Sequence, residues 1–563
     1  MCGIYGVINR KVRREQAMEC LDTMIHRGPD GFGLWQEDGV TLGHRRLAIL
    51  DLSSAGSQPM SYANERYWMT FNGEIYNFIE IREELQHKGY TFRGNSDSEV
   101  IMAAYCEWKE KCVDRFNGMW TFAIWDRQEK SLFLSRDRFG VKPLYYTEFP
   151  DGGFAFASEM KALLPLLEKV EPNKEMFDRY FADNHYESQP ECLIKGIKRF
   201  PAGSYAWIRN GKTEITRFWN TLDHLIEVPD TYEEQVEQFR ELFLDACKIR
   251  MRSDVTLGTG LSGGLDSSAT ICAMSYISRN CADERANKDW QACFPGTDLD
   301  ETKYAKQVTD YLGIRHTFLT IDDAVPEREF LRQLYCFEEL WGNPQVPMME
   351  LYKKERELGT TVSLDGHAAD ELFAGYGFDV LKAYPDAKGK AEIDQITMAY
   401  LNQRREMGYD PSSAEFKRQR NKLYRDYMTK YYAKKLLGRA DVSSAYADHP
   451  NWKKLDNLNK VLFVSTHETI LPTLLRNYDR DSMASGVEIR MPFLDYRIVE
   501  FAFSIGWKSK LHGGFSKSIV RDACADFMPH DIAYRRTKLG FNAPILDWMR
   551  GPYRQFFEDT VAD

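Results

Sequence analysis

Apolar residues are spaced differently in the two halves of the chain. Before about residue 209 they come in short runs rich in aromatic and β-branched side chains, at 3–8, 67–71, 120–125, 132–135 and 154–157, with a last run over 200–207. Runs of that length and composition predict strands, and several together predict a sandwich of two sheets. Two helices are predicted among them: 15–25, with Ala17, Met18, Leu21, Met24 and Ile25 on one face, and 98–109. A polar connection spans 210–230. After it Val236, Phe239, Phe243, Ala246 and Ile249 recur at helical spacing, which predicts a long amphipathic helix over 232–250. Strands and helices then alternate: an apolar run at 255–261, a helix to about 277, a short strand near 290–294, a helix over 301–312 and a strand at 360–364. Such alternation predicts a doubly wound parallel sheet with ligands at the carboxyl ends of its strands.

At 563 residues the chain exceeds what one hydrophobic core serves. The pattern divides it into 1–209, a linker at 210–230, and 231–563. A net charge of −10 argues against an extended nucleic-acid surface, and no basic run interleaved with aromatics points to one. Residues 381–460, charged and aromatic-rich without a repeat, read as helices with no site. Eleven cysteines lie scattered without CxxC pairs, which fits reduced thiols rather than a disulfide framework or a zinc site. The apolar runs fall short of a membrane span, and the basic residues at the start follow the apolar run instead of preceding it. A cytoplasmic enzyme with small-molecule substrates, no nucleic acid and no membrane is the expectation.

Two stretches carry chemistry. Leu261-Ser262-Gly263-Gly264-Leu265-Asp266-Ser267-Ser268 joins an apolar run to a helix. Paired glycines let backbone N–H groups approach a polyphosphate, the serines add hydroxyl donors, and the helix supplies the positive end of its dipole. No Gly-Lys-Ser/Thr is present, so this is not the loop that cradles a terminal phosphate for transfer. At the other end of the chain, Cys2 would gain a free α-amino group if Met1 were removed. Its thiol would then be the nucleophile and its amine, with an ordinary pKa near 8, the base.

Ser-Gly-Gly-Leu-Asp-Ser-Ser is the signature of the PP-loop ATP pyrophosphatases and resembles the synthetase half of asparagine synthetase. Cys2, His26-Arg27-Gly28-Pro29-Asp30-Gly31, Gly43-His44-Arg45-Arg46, Asn72-Gly73-Glu74 and Asn95-Ser96-Asp97 resemble that family's class II glutaminase domain. The resemblance implies an N-terminal-nucleophile αββα sandwich followed by a PP-loop α/β domain. It makes Cys2 the nucleophile on the glutamine amide and Asn72 with Gly73 the oxyanion hole. Arg46 becomes the clamp on the glutamine carboxylate, with Glu74 and Asp97 at its amino end, and Arg45 a solvated neighbour. Leu261, Ser262, Gly263, Gly264, Asp266, Ser267 and Lys517 would meet ATP, and Asp266 with Asp370 would hold Mg2+. Glu488 and Arg490 rank second, as a helix-end ion pair. The charges of 136–146 and 157–163 would hold loops.

One departure stands out. The family loop Ser-Gly-Glu-Gly-Ser-Asp-Glu is Asp365-Gly366-His367-Ala368-Ala369-Asp370-Glu371 here, after Leu364, with His367 where the first Glu meets the acceptor carboxylate. On residues alone, Asp370-Glu371 could equally cap the following helix. Such substituted loops, and Lys538-Leu539-Gly540-Phe541, resemble relatives that act on other carboxylates, sugar acids of surface polysaccharides among them. The resemblance implies a glutamine-hydrolysing, ATP-dependent carbon–nitrogen ligase, dimeric by family tendency, with aspartate the default acceptor. A uronic or peptide acid is the alternative. A ring-closing β-lactam synthetase-like enzyme is disfavoured by the intact Cys2, Asn72 and Gly73, and a non-catalytic regulatory relative by both sites keeping their necessary residues.

Overall fold

The computed structural model describes residues 2–183, 187, 189–280, 289–293, 301–320, 327–340, 346–404, 408–439, 442–537, 545–551 and 553–562. Phe294 and the Lys538 to Phe541 string lie outside them.

The first half contains β1 (Gly3–Ile8), β2 (Gly31–Glu37), β3 (Val40–Arg46), β4 (Met60–Tyr62), β5 (Tyr67–Ile75), β6 (Gly118–Asp126), β7 (Ser131–Arg136), β8 (Tyr145–Glu148), β9 (Phe154–Ala157), β10 (Lys198–Arg199), β11 (Ser204–Arg209) and β12 (Lys212–Arg217). They form two six-stranded sheets, ordered β10-β8-β9-β1-β3-β2 and β12-β11-β7-β6-β5-β4. Period-two alternation decides how they pack. On β1, Ile4 and Ile8 face the second sheet's Ala123, Trp125, Leu132 and Leu134, while Tyr5 and Val7 face the helix Arg14–Asp22 through Ala17, Cys20 and Leu21. The helices Phe78–His87 and Asp97–Trp108 cover the outer face of the second sheet. The result is the expected four-layer αββα sandwich. The run at 200–207 is not the last strand: Lys212–Arg217, inside the stretch read as a connection, pairs antiparallel with β11. It is almost wholly exposed, so it carries no apolar alternation to read.

The second half opens with the helix Tyr232–Arg250, capped by the Thr231 side chain on the Glu234 N–H. Its strands are β13 (Leu257–Gly258), β14 (Asp289–Cys293), β15 (His316–Thr320), β16 (Val362–Leu364) and β17 (Glu488–Arg490). Among the described residues they pair in parallel as β13-β16-β17 and as β14-β15, two pieces rather than one continuous sheet. Helices line both. The halves share apolar interior: Tyr76, Met119 and Val141 of the first sit in the large core of the second. Leu47 and Ile49 pack with Leu257, Met274, Val362, Leu364 and Met483. The buried core thus continues across the boundary between halves.

Candidate active sites

β3, β5 and the start of the helix Asp97–Trp108 bring the first set of predicted residues together. Cys2, Arg46, Gly73, Glu74 and Asp97 line one cavity of about 40 Å³, with Leu47, Ile49 and, from the second half, Glu488. Cys2 N donates to Asn72 Oδ1 at 2.8 Å, and the thiol lies 3.8 Å from the Leu47 carbonyl. Met1 precedes Cys2 in the chain, so this nitrogen is a peptide N–H standing in for the α-amine that methionine removal would create. The bond also fixes the Asn72 amide: with Oδ1 committed, Nδ2 is turned the other way, buried and without a hydrogen-bond partner. Gly73 follows at φ +153°, and a Cβ there would fall 2.1 Å from the Met119 carbonyl oxygen. Only glycine lets β5 and β6 pair so closely at this point.

Three carboxylates crowd this cavity. Asp97 Oδ2 accepts from Ile75 N at 2.9 Å, and burial pushes Asp97 up to about 7. Burial, then the facing Asp97, push Glu74 up as well, against the pull of Arg490, whose Nη2 lies 3.2 Å from Glu74 Oε2. Glu488 stays well below the ordinary carboxylate range although burial opposes it, because Arg490 and Lys142 face it. Two carboxyls pushed up beside a third that keeps its charge make a pocket that would favour an incoming ammonium group. Arg46 donates to the Asp51 and Ser53 carbonyls at 2.5 and 2.9 Å, which folds the 51–56 loop over the cavity.

The second set gathers around a much larger cavity of about 780 Å³, lined among others by Leu261, Ser262, Gly264, Asp266, Ser267, His367, Asp370 and Lys517. Ser262 Oγ accepts from Gly264 N at 3.2 Å and meets Ser267 Oγ at 3.1 Å, so the cradle is held by its own hydroxyls. The loop after β16 lies directly against it, since a Cβ on Gly366 would stand 2.5 Å from the Asp266 carbonyl carbon. Lys517, at φ +54°, reaches Asp266 Oδ2 and Asp370 Oδ1, each at 2.5 Å. Burial disfavours this ammonium, yet the two carboxylates more than offset it and raise its pKa. One cation thus lies between the carboxylates expected to hold another. Among the described residues no group of three or more His, Cys, Asp or Glu could hold a metal by itself. Two hard carboxylates with phosphate oxygens completing the shell suit Mg2+.

His367 stacks on Tyr478 at 3.6 Å between ring centroids, with Nε2 3.4 Å from Asp365 Oδ2. Tyr352 and Ser363 hydroxyls donate to Asp365 at 2.6 and 2.7 Å and fix it in place. The helix Ala369–Phe373 has no side-chain cap, so capping does not explain Asp370-Glu371: Asp370 faces Lys517, and Glu371 accepts from the Tyr376 hydroxyl at 2.5 Å.

Several residues carry more than their sequence reading. Arg45 is buried, not solvated; it pairs with Asp22 and lies over the Phe32 ring. Glu488 and Arg490 are not at a helix end but on β17, where Glu488 closes the Cys2 cavity from the other half and Arg490 holds Glu74. Arg27 is fully buried. Its Nε donates to the Cys2 carbonyl at 3.1 Å, its two Nη atoms hold Asp479 at 2.7 and 3.0 Å, and Nη1 also meets Glu159 at 2.9 Å. Arg535 meets Glu301 at 2.8 Å and the Gly263 carbonyl at 3.2 Å and lies 3.6 Å over Tyr304. Its Nε and Nη2 are buried without a hydrogen-bond partner beside the cradle. No local pattern marks the pairings of Arg27, Arg490 and Arg535, because their partners are far away in sequence.

Residues 1–219 match the glutamine amidotransferase domain family and residues 238–563 the asparagine synthase family. Asparagine synthetase [glutamine-hydrolyzing] 1 of Bacillus subtilis is 30% identical, over all of this chain and 90% of the relative. Asparagine synthetase [glutamine-hydrolyzing] 3 of the same organism is 32% identical over 95% of this chain and 86% of its own. Asparagine synthetase B [glutamine-hydrolyzing] of Escherichia coli is 28% identical over 95% and 81%.

Proposed function

This chain belongs to the asparagine synthetase family, and from that premise we propose that it is a glutamine-dependent amidotransferase whose Cys2 cavity releases ammonia and whose cradle cavity uses it. Residues up to Arg217, the end of β12, form the glutaminase unit and 231–563 the synthetase unit. After methionine removal the α-amine of Cys2 takes the thiol proton and Sγ attacks the glutamine side-chain carbonyl. The oxyanion is received by Asn72 Nδ2 and the Gly73 N–H, ammonia leaves, and water releases glutamate from the thioester. Glu74 and Asp97 hold the ammonium end of the substrate, and Arg46 its carboxylate. The observation that carries the reading is Asn72, whose amide is oriented by Cys2 N and whose donor is left buried with nothing to bond. An unpaired buried donor is costly unless a ligand satisfies it.

At the cradle, an acceptor carboxylate oxygen attacks the α-phosphorus of ATP and pyrophosphate leaves. Free ammonia then attacks the acyl carbon and AMP departs. Mg2+, held by Asp266 and Asp370, would screen charge gathering on the leaving pyrophosphate. Lys517 meets the same oxygens, and Arg535 offers its two unused donors. The apolar cluster from Leu47 and Ile49 to Leu364 and Met483 supports a dry connection between the sites. Asp365 orients His367 beside the acceptor.

Aspartate is the default acceptor. The second reading, a larger carboxylate such as a uronic acid, is favoured by His367 and by the stacked Tyr376 and Phe378 rings, 5.2 Å apart, on the cavity wall. Supplying aspartate, ATP and glutamine separates the two: saturable asparagine formation with matching pyrophosphate release excludes the second, and glutamate release without asparagine excludes the first.

A further inference from the structure

The stretch 381–460, read from sequence as helices without a site, contains the most basic run of this acidic chain. Between Ala414 and Arg439 stand nine Lys or Arg against Glu415 and Asp426, a net +7 in a chain of net −10, which leaves the remainder at −17. Most of that stretch is one helix, Ala414–Leu436, about 35 Å long. It buries only Phe416 and Met428, and Tyr424 and Tyr427 meet Tyr384 on its inner side. Lys417, Arg418, Lys422, Arg425, Lys430, Lys435 and Arg439 are exposed.

The outer ridge has an order. Arg418, Lys422, Arg425, Tyr432 and Leu436 recur at helical spacing on one face, basic toward the start and apolar toward the end. Tyr432, Leu436 and Leu437 are 55%, 88% and 70% exposed. This end is not frayed: the Arg439 N–H bonds the Lys434 carbonyl at 2.9 Å and Gly438 at φ +65° turns the chain, a Schellman close that presents both leucines in fixed positions.

We propose that this helix docks the enzyme on an anionic lipid bilayer, with Tyr432, Leu436 and Leu437 entering the interface and the surrounding lysines and arginines on the headgroups. Charge alone would suit any polyanion. Nucleic-acid phosphates would use the basic residues and leave two leucines in water, whereas a bilayer surface takes up both kinds of side chain. The acidic remainder of the molecule is repelled by the same surface, which orients the enzyme with this helix toward it. No helix among the described residues is long and apolar enough to cross a membrane. Attachment would therefore be peripheral and reversible.

The test is sedimentation of the full chain with vesicles of phosphatidylglycerol and phosphatidylcholine, against phosphatidylcholine alone, at low and high salt. Expected is binding to the anionic vesicles only, weakened by salt. Lys430→Glu with Lys435→Glu should weaken it roughly 25-fold or more, at about five-fold per basic residue removed. Leu436→Ser with Leu437→Ser should remove the part that survives salt. Both double variants lie on exposed positions, and unchanged glutaminase activity would certify their folding. Absence of sedimentation at low salt, equal binding to neutral vesicles, or indifference to both double variants would overturn the proposal. So would binding to a duplex oligonucleotide, or self-association in solution, with vesicles left unbound.

Discussion

The two cavities contrast in size, charge and ownership. Among the described residues the cradle cavity, about 780 Å³, is lined by the second half alone, while the 40 Å³ cavity at Cys2 takes Glu488 from that half to complete its wall. Arg490 on the same strand holds Glu74, and Arg27 ties the Cys2 carbonyl to Asp479. On the proposed reading, glutamine hydrolysis is therefore exposed to the state of the synthetase half, whereas the described lining of the cradle takes no residue from the first half.

The largest expected effect separates the cavities outright. Cys2→Ala should lower glutamine-dependent synthesis by about a thousand-fold or more while synthesis from ammonium salts persists, since the cradle owes nothing to Cys2. Loss of both activities would break the contrast. Asp266→Asn or Lys517→Ala should cut pyrophosphate release by roughly 10²–10³. Glutamate release should continue in both variants, and unchanged pyrophosphate release would remove those residues from the phosphate site.

The next effect addresses the seam. Arg27→Ala leaves Asp479 and Glu159 buried without this partner, and about 3–5 kcal/mol of stability should be lost in denaturant unfolding. A smaller dependence comes from Asp97. Its carboxyl, pushed up to about 7, is charged above that pH and neutral below it, so kcat/KM for glutamine should fall by about ten-fold per unit as pH drops beneath 7. Asp97→Asn should flatten that limb at a low level; a wild-type profile flat from pH 5 to 8 would rule the group out. The mildest case is Arg535→Gln, expected to raise the KM for ATP by about ten-fold with kcat for ammonia-dependent synthesis less affected. A fall in stability with an unaltered KM would make Arg535 purely structural.

These contrasts also show where sequence reading works. Cys2 and the loop from Ser262 to Ser268 are legible because their chemistry is local: a thiol beside a potential free amine, and glycines and hydroxyls packed into one turn. The long helix Tyr232–Arg250 is legible because one buried stripe sets its period. β3 hides its nature, since Thr41, His44 and Arg45 are buried polar residues and its neighbour β2 is half-exposed. Arg27 with Asp479, Arg490 with Glu74 and Arg535 with Gly263 are created by the fold bringing distant residues together. Nothing near any of them in the chain announces the pairing.

Nitrogen freed at Cys2 should reach the cradle without passing through solvent. The direct measurement gives the enzyme glutamine labelled with 15N in its side-chain amide, together with ATP, acceptor and an excess of unlabelled ammonium, and reads the label in the amide product. Product labelled well beyond the isotopic composition of bulk ammonia is the predicted result; product diluted to that of the bulk would contradict it.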